Sequence, residues 1–247
     1  MKSPLVALIV PVWGDDTLLI DLVNRLSFPP ESAEWIVAAV EPSETLRDLG
    51  RSGTIRLVIC EKASRGAQMN AGALKARGSL LCFHHADSRL EPEHIAALVG
   101  AAKTEGIIGG AFHRHFDNRN FWMKRWEKLL RHISAAAGPI FGDQSIFVKA
   151  GIFHKLGGFA DIPLMEDIEF SGRLRRLGPI TLLDPPVWSS PRRFRRLGNL
   201  LTLFLNTLFI VLFYFGVSPS TLHRWYYRNR LGRRMTGNRQ KAERFHS

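Results

Sequence analysis

The chain has 247 residues, 45% of them apolar, and a formal net charge of +12. That length suits one α/β domain, alone or with an appendage, and the apolar share supports a proper core, which excludes a disordered or fibrous chain. Its two cysteines, Cys60 and Cys82, each lie in an apolar run; this excludes a disulfide framework and points to a reducing compartment.

The opening run Leu5–Val10 has no small-residue cleavage site and leads into Pro11-Val12-Trp13-Gly14-Asp15-Asp16. It therefore reads as a first strand rather than a signal peptide. Thr17–Leu26 carries helical spacing, with Asp16 placed to cap it. Trp35–Val40, Ile55–Cys60, Leu80–Phe83 and Ile107–Phe112 are short apolar runs of the buried-strand type. Glu93–Lys103 has helical spacing, and Pro92 suits its opening turn. This alternation predicts a mainly parallel sheet covered on both faces, with ligands at the carboxyl ends of its strands. Asp15, Asp16, Glu41, Arg65 and Asp87 all fall just past predicted strand ends and share that edge.

Farther along, Asn120–Ile133 reads as a helix, Ala135–Pro139 as a break, and Gln144–Val148 as a strand. Glu166–Leu177 reads as a helix stopped by Gly178-Pro179. Residues 197–217 approach the roughly 20 apolar residues of a bilayer span, but Asn199, Thr202, Asn206 and Thr207 interrupt them. Arg192, Arg193, Arg195 and Arg196 precede this stretch. From Pro219 to Ser247, eight basic residues face Glu243 alone. Basic clusters on both sides suit a helix lying on an anionic membrane surface better than one crossing it; an ordinary packed helix is the alternative. So basic a chain attracts anions, but charge gathered in a tail beside an apolar stretch favours lipid over a nucleic-acid groove.

Three segments carry chemistry. Arg65-Gly66-Ala67-Gln68-Met69-Asn70-Ala71-Gly72-Ala73 opens a helix-like turn in which small residues let backbone amides approach an anion, and Arg65 adds a charge-assisted contact. The same glycines also permit plain helix–sheet packing. In His84-His85-Ala86-Asp87, alternation at a strand end would turn His85 and Asp87 the same way, a pair suited to a divalent ion that takes its remaining ligands from phosphates. His84 reads as a packed core histidine. Glu166-Asp167 opens a helix, where the dipole favours one acid; the second exceeds what capping needs and could take a proton from a hydroxyl. Glu169 and Arg173 offer an ion-pair face as the bland alternative.

These strings, with Gly142-Asp143-Gln144 and Pro163-Leu164-Met165-Glu166-Asp167, resemble family 2 glycosyltransferases of the GT-A fold. The similarity runs from Ile9 to about Pro219 and is nearest to a small bacterial subgroup described as radical-SAM/selenodomain-associated transferases. The resemblance implies a mainly parallel central sheet flanked by helices over residues 1–191, with a basic, apolar helical appendage over 192–247. It implies inverting transfer from a nucleotide-diphospho-sugar. In that scheme Asp87 and His85 stand at the Mg²⁺ or Mn²⁺ position, and Asp167 is the general base with Glu166 beside it. Pro11, Asp15, Asp16, Glu41, Arg65, Gln68 and Asn70 take the nucleotide. A lipid-linked acceptor and a cytoplasmic protein peripheral to the inner face of the cell membrane suit the C-terminal half.

Three places depart from the family pattern: Val37-Ala38-Ala39-Val40-Glu41 lacks the usual second-strand Asp, Pro11 is followed by Val12-Trp13-Gly14-Asp15, and His85 replaces the first acid of the metal motif. A catalytically degenerate protein that binds anionic membranes or nucleotides is the alternative. A nucleotidyltransferase is disfavoured, because the turn after the first strand is acidic where a triphosphate would sit.

Overall fold

A computed structural model describes residues 4–14, 16–115, 139–188 and 199–228. Asp15, the expected helix over Asn120–Ile133, most of the break that follows it, the arginine cluster at 192–196 and the tail from 229 onward lie outside the described residues. The described chain divides into two compact units. One holds residues up to 160 with 167–189, and the other holds 161–166 with 190–247.

The first unit is built on a seven-stranded sheet of β1 (Val6–Trp13), β2 (Ala33–Val40), β3 (Arg56–Ile59), β4 (Leu80–Phe83), β5 (Gly109–His115), β6 (Ile146–Lys149) and β7 (Thr181–Trp188), in the order β3-β2-β1-β4-β6-β5-β7. The strands β1, β2, β3 and β4 run parallel, as does β5 with β7; β6 is antiparallel to both of its neighbours. The sheet is thus mainly parallel, as the βα alternation anticipates.

Strand residues of β1 alternate between two cores because successive side chains leave opposite faces. Val6, Leu8, Val10 and Val12 join Trp35, Val37 and Phe112 under α1 (Thr17–Arg25), α2 (Glu44–Arg51) and α4 (Pro92–Lys103). Ala7 and Ile9 join Ile36 and Phe83 under α3 (Arg65–Leu74), α5 (Ala150–Lys155) and α6 (Glu166–Arg175). Helices thus cover both faces of the sheet.

Several expectations are refined. Asp16 does sit at the N-cap position of α1, but its carboxylate makes no cap bond; Oδ2 instead accepts the backbone N–H of Ser43 at 3.1 Å. Pro92 occupies the first turn of α4 as expected. The β1 strand runs three residues beyond its expected end, taking in Pro11 opposite Ala38. Two elements escape the apolar pattern. Helix α2 buries only Leu46 and is started by Ser43, whose hydroxyl accepts the Leu46 N–H. Strand β7 contains Pro185 and Pro186, which an edge strand tolerates and a central one does not. Both cysteines are free, with Cys82 buried and Cys60 half-buried.

The second unit contains a helical pair, α7 (Asn199–Tyr214) and α8 (Pro219–Arg228). Leu205 and Phe209 of α7 pack on Leu222 and Tyr226 of α8, with Leu164 and Met165 against them. The Phe209 and Tyr226 rings meet edge-on at 5.7 Å. Among the described residues no helix is long and apolar enough to cross a membrane.

Candidate active site

The carboxyl ends of β1, β2, β3 and β4 bring Asp16, Glu41, Arg65 and Asp87 to one edge of the sheet. Glu41 follows β2 directly, is exposed, and adopts a left-handed backbone with φ 52°. Arg65 is the exposed first residue of α3.

Helix α3 lies close on the sheet for a steric reason. A Cβ on Gly72 would meet Ile9 Cγ2 at 2.6 Å, and one on Gly66 would meet the carbonyl oxygen of Ala160 at 2.8 Å. Both glycines are therefore explained by packing alone. Two side chains placed with the nucleotide in the sequence are committed to the protein's own backbone. Gln68 is buried, and its Nε2 donates to Val12 O at 2.7 Å and Ala38 O at 2.8 Å. It clamps β1 to β2 beside Pro11, a residue with no N–H to give. Asn70 makes a two-way bond with Phe159, its Nδ2 donating to the carbonyl and its Oδ1 accepting the N–H, each at 2.9 Å. Asp16 is similarly buried and spent on Ser43.

The segment after β4 differs from a simple strand end. The strand stops at Phe83, and residues 85–88 form a turn closed by the Ser88 N–H on His85 O at 2.9 Å. His85 and Asp87 are thus set by a turn, not by strand alternation. Asp87 is exposed, while His84 is fully buried with Nδ1 2.8 Å from Ser145 Oγ. Burial holds the His84 imidazole down at about 3, so it is neutral in the working range and belongs to the core. Burial likewise pushes the Cys82 and Cys60 thiols up, which leaves neither as a ready thiolate.

Glu166 and Asp167 open α6, as the sequence indicates. The Asp167 carboxylate accepts two backbone N–H groups, Gly142 at 2.7 Å through Oδ2 and Ile168 at 2.8 Å through Oδ1. Gly142 begins a short 3₁₀ turn, Gly142–Gln144. A Cβ on Gly142 would meet His85 Nε2 at 2.6 Å and Asp167 Oδ2 at 3.4 Å. The turn therefore lies between an imidazole of the β4 segment and the carboxylate of α6, which brings together residues 82 positions apart in the chain. The bland ion pair also exists, but between Glu169 and Arg173, whose guanidinium further donates to Leu156 O and Gly158 O.

Three contributors have no assigned role in the sequence reading, although Gly142-Asp143-Gln144 is among the strings that carry the resemblance. Arg114 of β5 pairs with Asp143 and lies 4.9 Å from the Phe141 ring centre, adding a positive charge beside the turn. Gln144 is buried, its Nε2 donating to Phe112 O and its Oε1 accepting the Phe141 N–H, each at 3.0 Å. The Gly142 amide acts through backbone, which no residue type advertises. Among the described residues no cluster of three or more His, Cys, Asp or Glu could hold a metal ion unaided. One imidazole and one exposed carboxylate are a thin donor set, which fits an ion that takes its other ligands from a diphosphate and water.

No curated protein matches the chain by sequence. Among solved structures, a mannosyltransferase from Pyrobaculum calidifontis in complex with GDP-Man and Mn²⁺ is similar with a TM-score of 0.60 at 16% identity, over 100% of this chain and 77% of that one. S. aureus TarS 1-349 in complex with UDP-GlcNAc is similar with a TM-score of 0.58 at 16% identity, over 76% and 58%. Glucosyl-3-phosphoglycerate synthase from Mycobacterium tuberculosis, in complex with Mn²⁺, UDP and glucosyl-3-phosphoglycerate, is similar with a TM-score of 0.54 at 14% identity, over 76% and 70%. In the longer TarS structure the chain spans only 37% of its relative's length. Residues 38–160, which run from β2 through the α3 and β4 segments to Ala160, match Glycosyl transferase family 2. On this match and the similarity to these solved structures, the chain belongs to glycosyl transferase family 2 and has the GT-A fold.

Proposed function

We propose that the protein is an inverting, metal-assisted glycosyltransferase that moves a sugar from a nucleotide-diphospho-sugar to a hydroxyl acceptor. The observation that carries this is the Asp167 carboxylate, held by the Gly142 and Ile168 amides and separated from His85 by a single turn. Two amides engage both oxygens of the carboxylate and set its orientation. Asp167 takes the proton of the attacking hydroxyl as general base, and Glu166 flanks it. Orientation supplies much of the rate, because attack must come on the face of the sugar opposite the leaving diphosphate.

Asp87 and His85 would hold Mg²⁺ or Mn²⁺, which when bound offsets the charge growing on the diphosphate. Arg65 and Glu41, both exposed at the strand edge, receive the nucleoside end; Asp15 belongs with them from its position in the sequence. Gln68, Asn70 and Asp16 shape that floor through the backbone bonds they make. We assign the chain to the radical-SAM/selenodomain-associated subgroup on the strings quoted above, and treat residues 192–247 as an appendage to the catalytic domain.

The acceptor is lipid-linked in this reading, and the second unit seats the enzyme on an anionic membrane surface. Leu208, Val211 and Phe215 recur at helical spacing along one exposed side of the α7 end, Phe215 being 84% exposed. The sequence places basic clusters before and after this pair of helices, which complements anionic lipid.

The deciding experiment is calorimetric titration of UDP, GDP, dTDP and CDP, each with and without Mn²⁺, into wild type and Asp87→Ala. Metal-dependent binding of one nucleotide, lost in the variant, is the expected result and defines the donor. Absence of metal-dependent binding to the folded wild type would favour a degenerate transferase fold instead.

A further inference from the structure

Strands β4 and β6 are antiparallel, with Phe83 opposite Ile146 as their last backbone pair. The next rung places His84 opposite Ser145. There the backbone ladder stops, because Ser145 turns into the left-handed region with φ 53° and ψ 72°. A side-chain bond takes over at that rung: His84 Nδ1 and Ser145 Oγ are 2.8 Å apart, and both residues are fully buried. A non-glycine residue in this backbone region is unfavourable and persists only where its surroundings over-determine it. The Ser145 N–H also closes the 3₁₀ turn onto Gly142 O at 3.2 Å. Gly142 in turn donates to Asp167.

We infer that the His84–Ser145 bond is a pin that sets the position of the general base. It fixes the strained end of the 142–145 turn to the residue that links β4 to the turn carrying His85 and Asp87, so the Gly142 amide reaches Asp167 at a set distance from the metal-motif residues. His84 and Ser145 are positioning residues; neither is offered to substrate. The catalytic part of the inference rests on the reading of Asp167 as base, whereas the pin itself does not.

Both parts can be separated with Ser145→Gly, which accommodates the left-handed backbone and removes the hydroxymethyl group that bonds His84. In ¹⁵N-labelled protein, the Gly142 amide of the variant should lose the shift of a carboxylate-bonded N–H and exchange with solvent about tenfold faster, the factor that corresponds to one hydrogen bond's net energy. Amides of β1 should be unmoved. With the donor identified by calorimetry, kcat should fall about tenfold while the donor KM stays within about threefold, since the lost interaction orients the base rather than the donor. A Gly142 amide unchanged in shift and exchange overturns the pin. A released Gly142 amide with unchanged kcat sustains the pin and overturns Asp167 as base. Should Ser145→Gly fail to fold, Ser145→Ala removes the same hydroxyl and is read by the same Gly142 signal.

Discussion

Replacing Gly72 by Ala tests whether the small residues of α3 serve packing or ligand approach. The new Cβ would stand 2.6 Å from Ile9 Cγ2, 3.5 Å from Ile36 Cγ2 and 3.8 Å from Ala38 Cβ. Carbon atoms prefer about 3.5–4.0 Å, so helix and strand must part by about 1 Å. Ile9 cannot yield easily: it is fully buried in a central strand, and its Cγ2 hangs from a stiff β-branched carbon. Overpacking of this kind costs about 1–3 kcal/mol, and the better helix propensity of Ala returns about 0.8–1 kcal/mol. The net loss is about 1 kcal/mol, which lowers Tm by about 2–4 °C in a chain of this size. Urea unfolding followed by circular dichroism measures it. In an Ile9→Ala background the clash vanishes, so the same Gly72→Ala change should become stabilising. Equal effects in the two backgrounds would refute the steric account. A folded Gly72→Ala protein that binds its nucleotide tenfold more weakly would show that the glycine serves the ligand instead.

Gly142→Ala should leave stability within about 1 kcal/mol, because the atom it meets at 2.6 Å is the far end of the His85 ring, yet moving that ring should lower kcat by about 10–100-fold; a full transfer rate in steady-state assay would contradict the site geometry. Asp167→Asn should abolish transfer while calorimetry shows donor binding retained. Stability should fall as the pH drops from about 6.5 towards 3, since His84 stays neutral when folded, with its pKa lowered to about 3, but takes a proton when unfolded. The unfolded state then binds more protons, with a slope of up to about 1.4 kcal/mol per pH unit from this residue. Urea midpoints across that range measure the effect, and a flat profile would count against a buried neutral imidazole. Replacing Leu208, Val211 and Phe215 with Ser should reduce co-sedimentation with phosphatidylserine vesicles and leave nucleotide binding intact; undiminished sedimentation would remove α7 from the membrane reading.

Much of the edge was legible because its signals are local. A run such as Val6–Val10 followed by Gly14 and acids reads as a strand meeting a turn, and Glu166-Asp167 after a Pro-containing lead-in reads as a helix start. The elements that escaped were those whose stability is borrowed. Helix α2 buries one residue, and β7 carries two prolines, so neither shows the period that marks a free-standing element.

What the sequence determined by itself was the alternation of strands and helices, the mainly parallel sheet that follows from it, and the set of charged residues delivered to the strand ends. Those depend on spacing within a few residues and on the twofold or 3.6-fold repeat of side-chain direction. What only the tertiary structure decided was which polar groups at that edge are already engaged. Asp16 is met by Ser43 27 residues away, Gln68 by Val12 56 residues away, and Asn70 by Phe159 89 residues away. The same holds for Gly142 and Asp167, joined across 25 residues. A buried amide or carboxylate must find a partner somewhere, but its residue type names only the number of bonds it can make. Which atom supplies them is settled by the packing of distant segments.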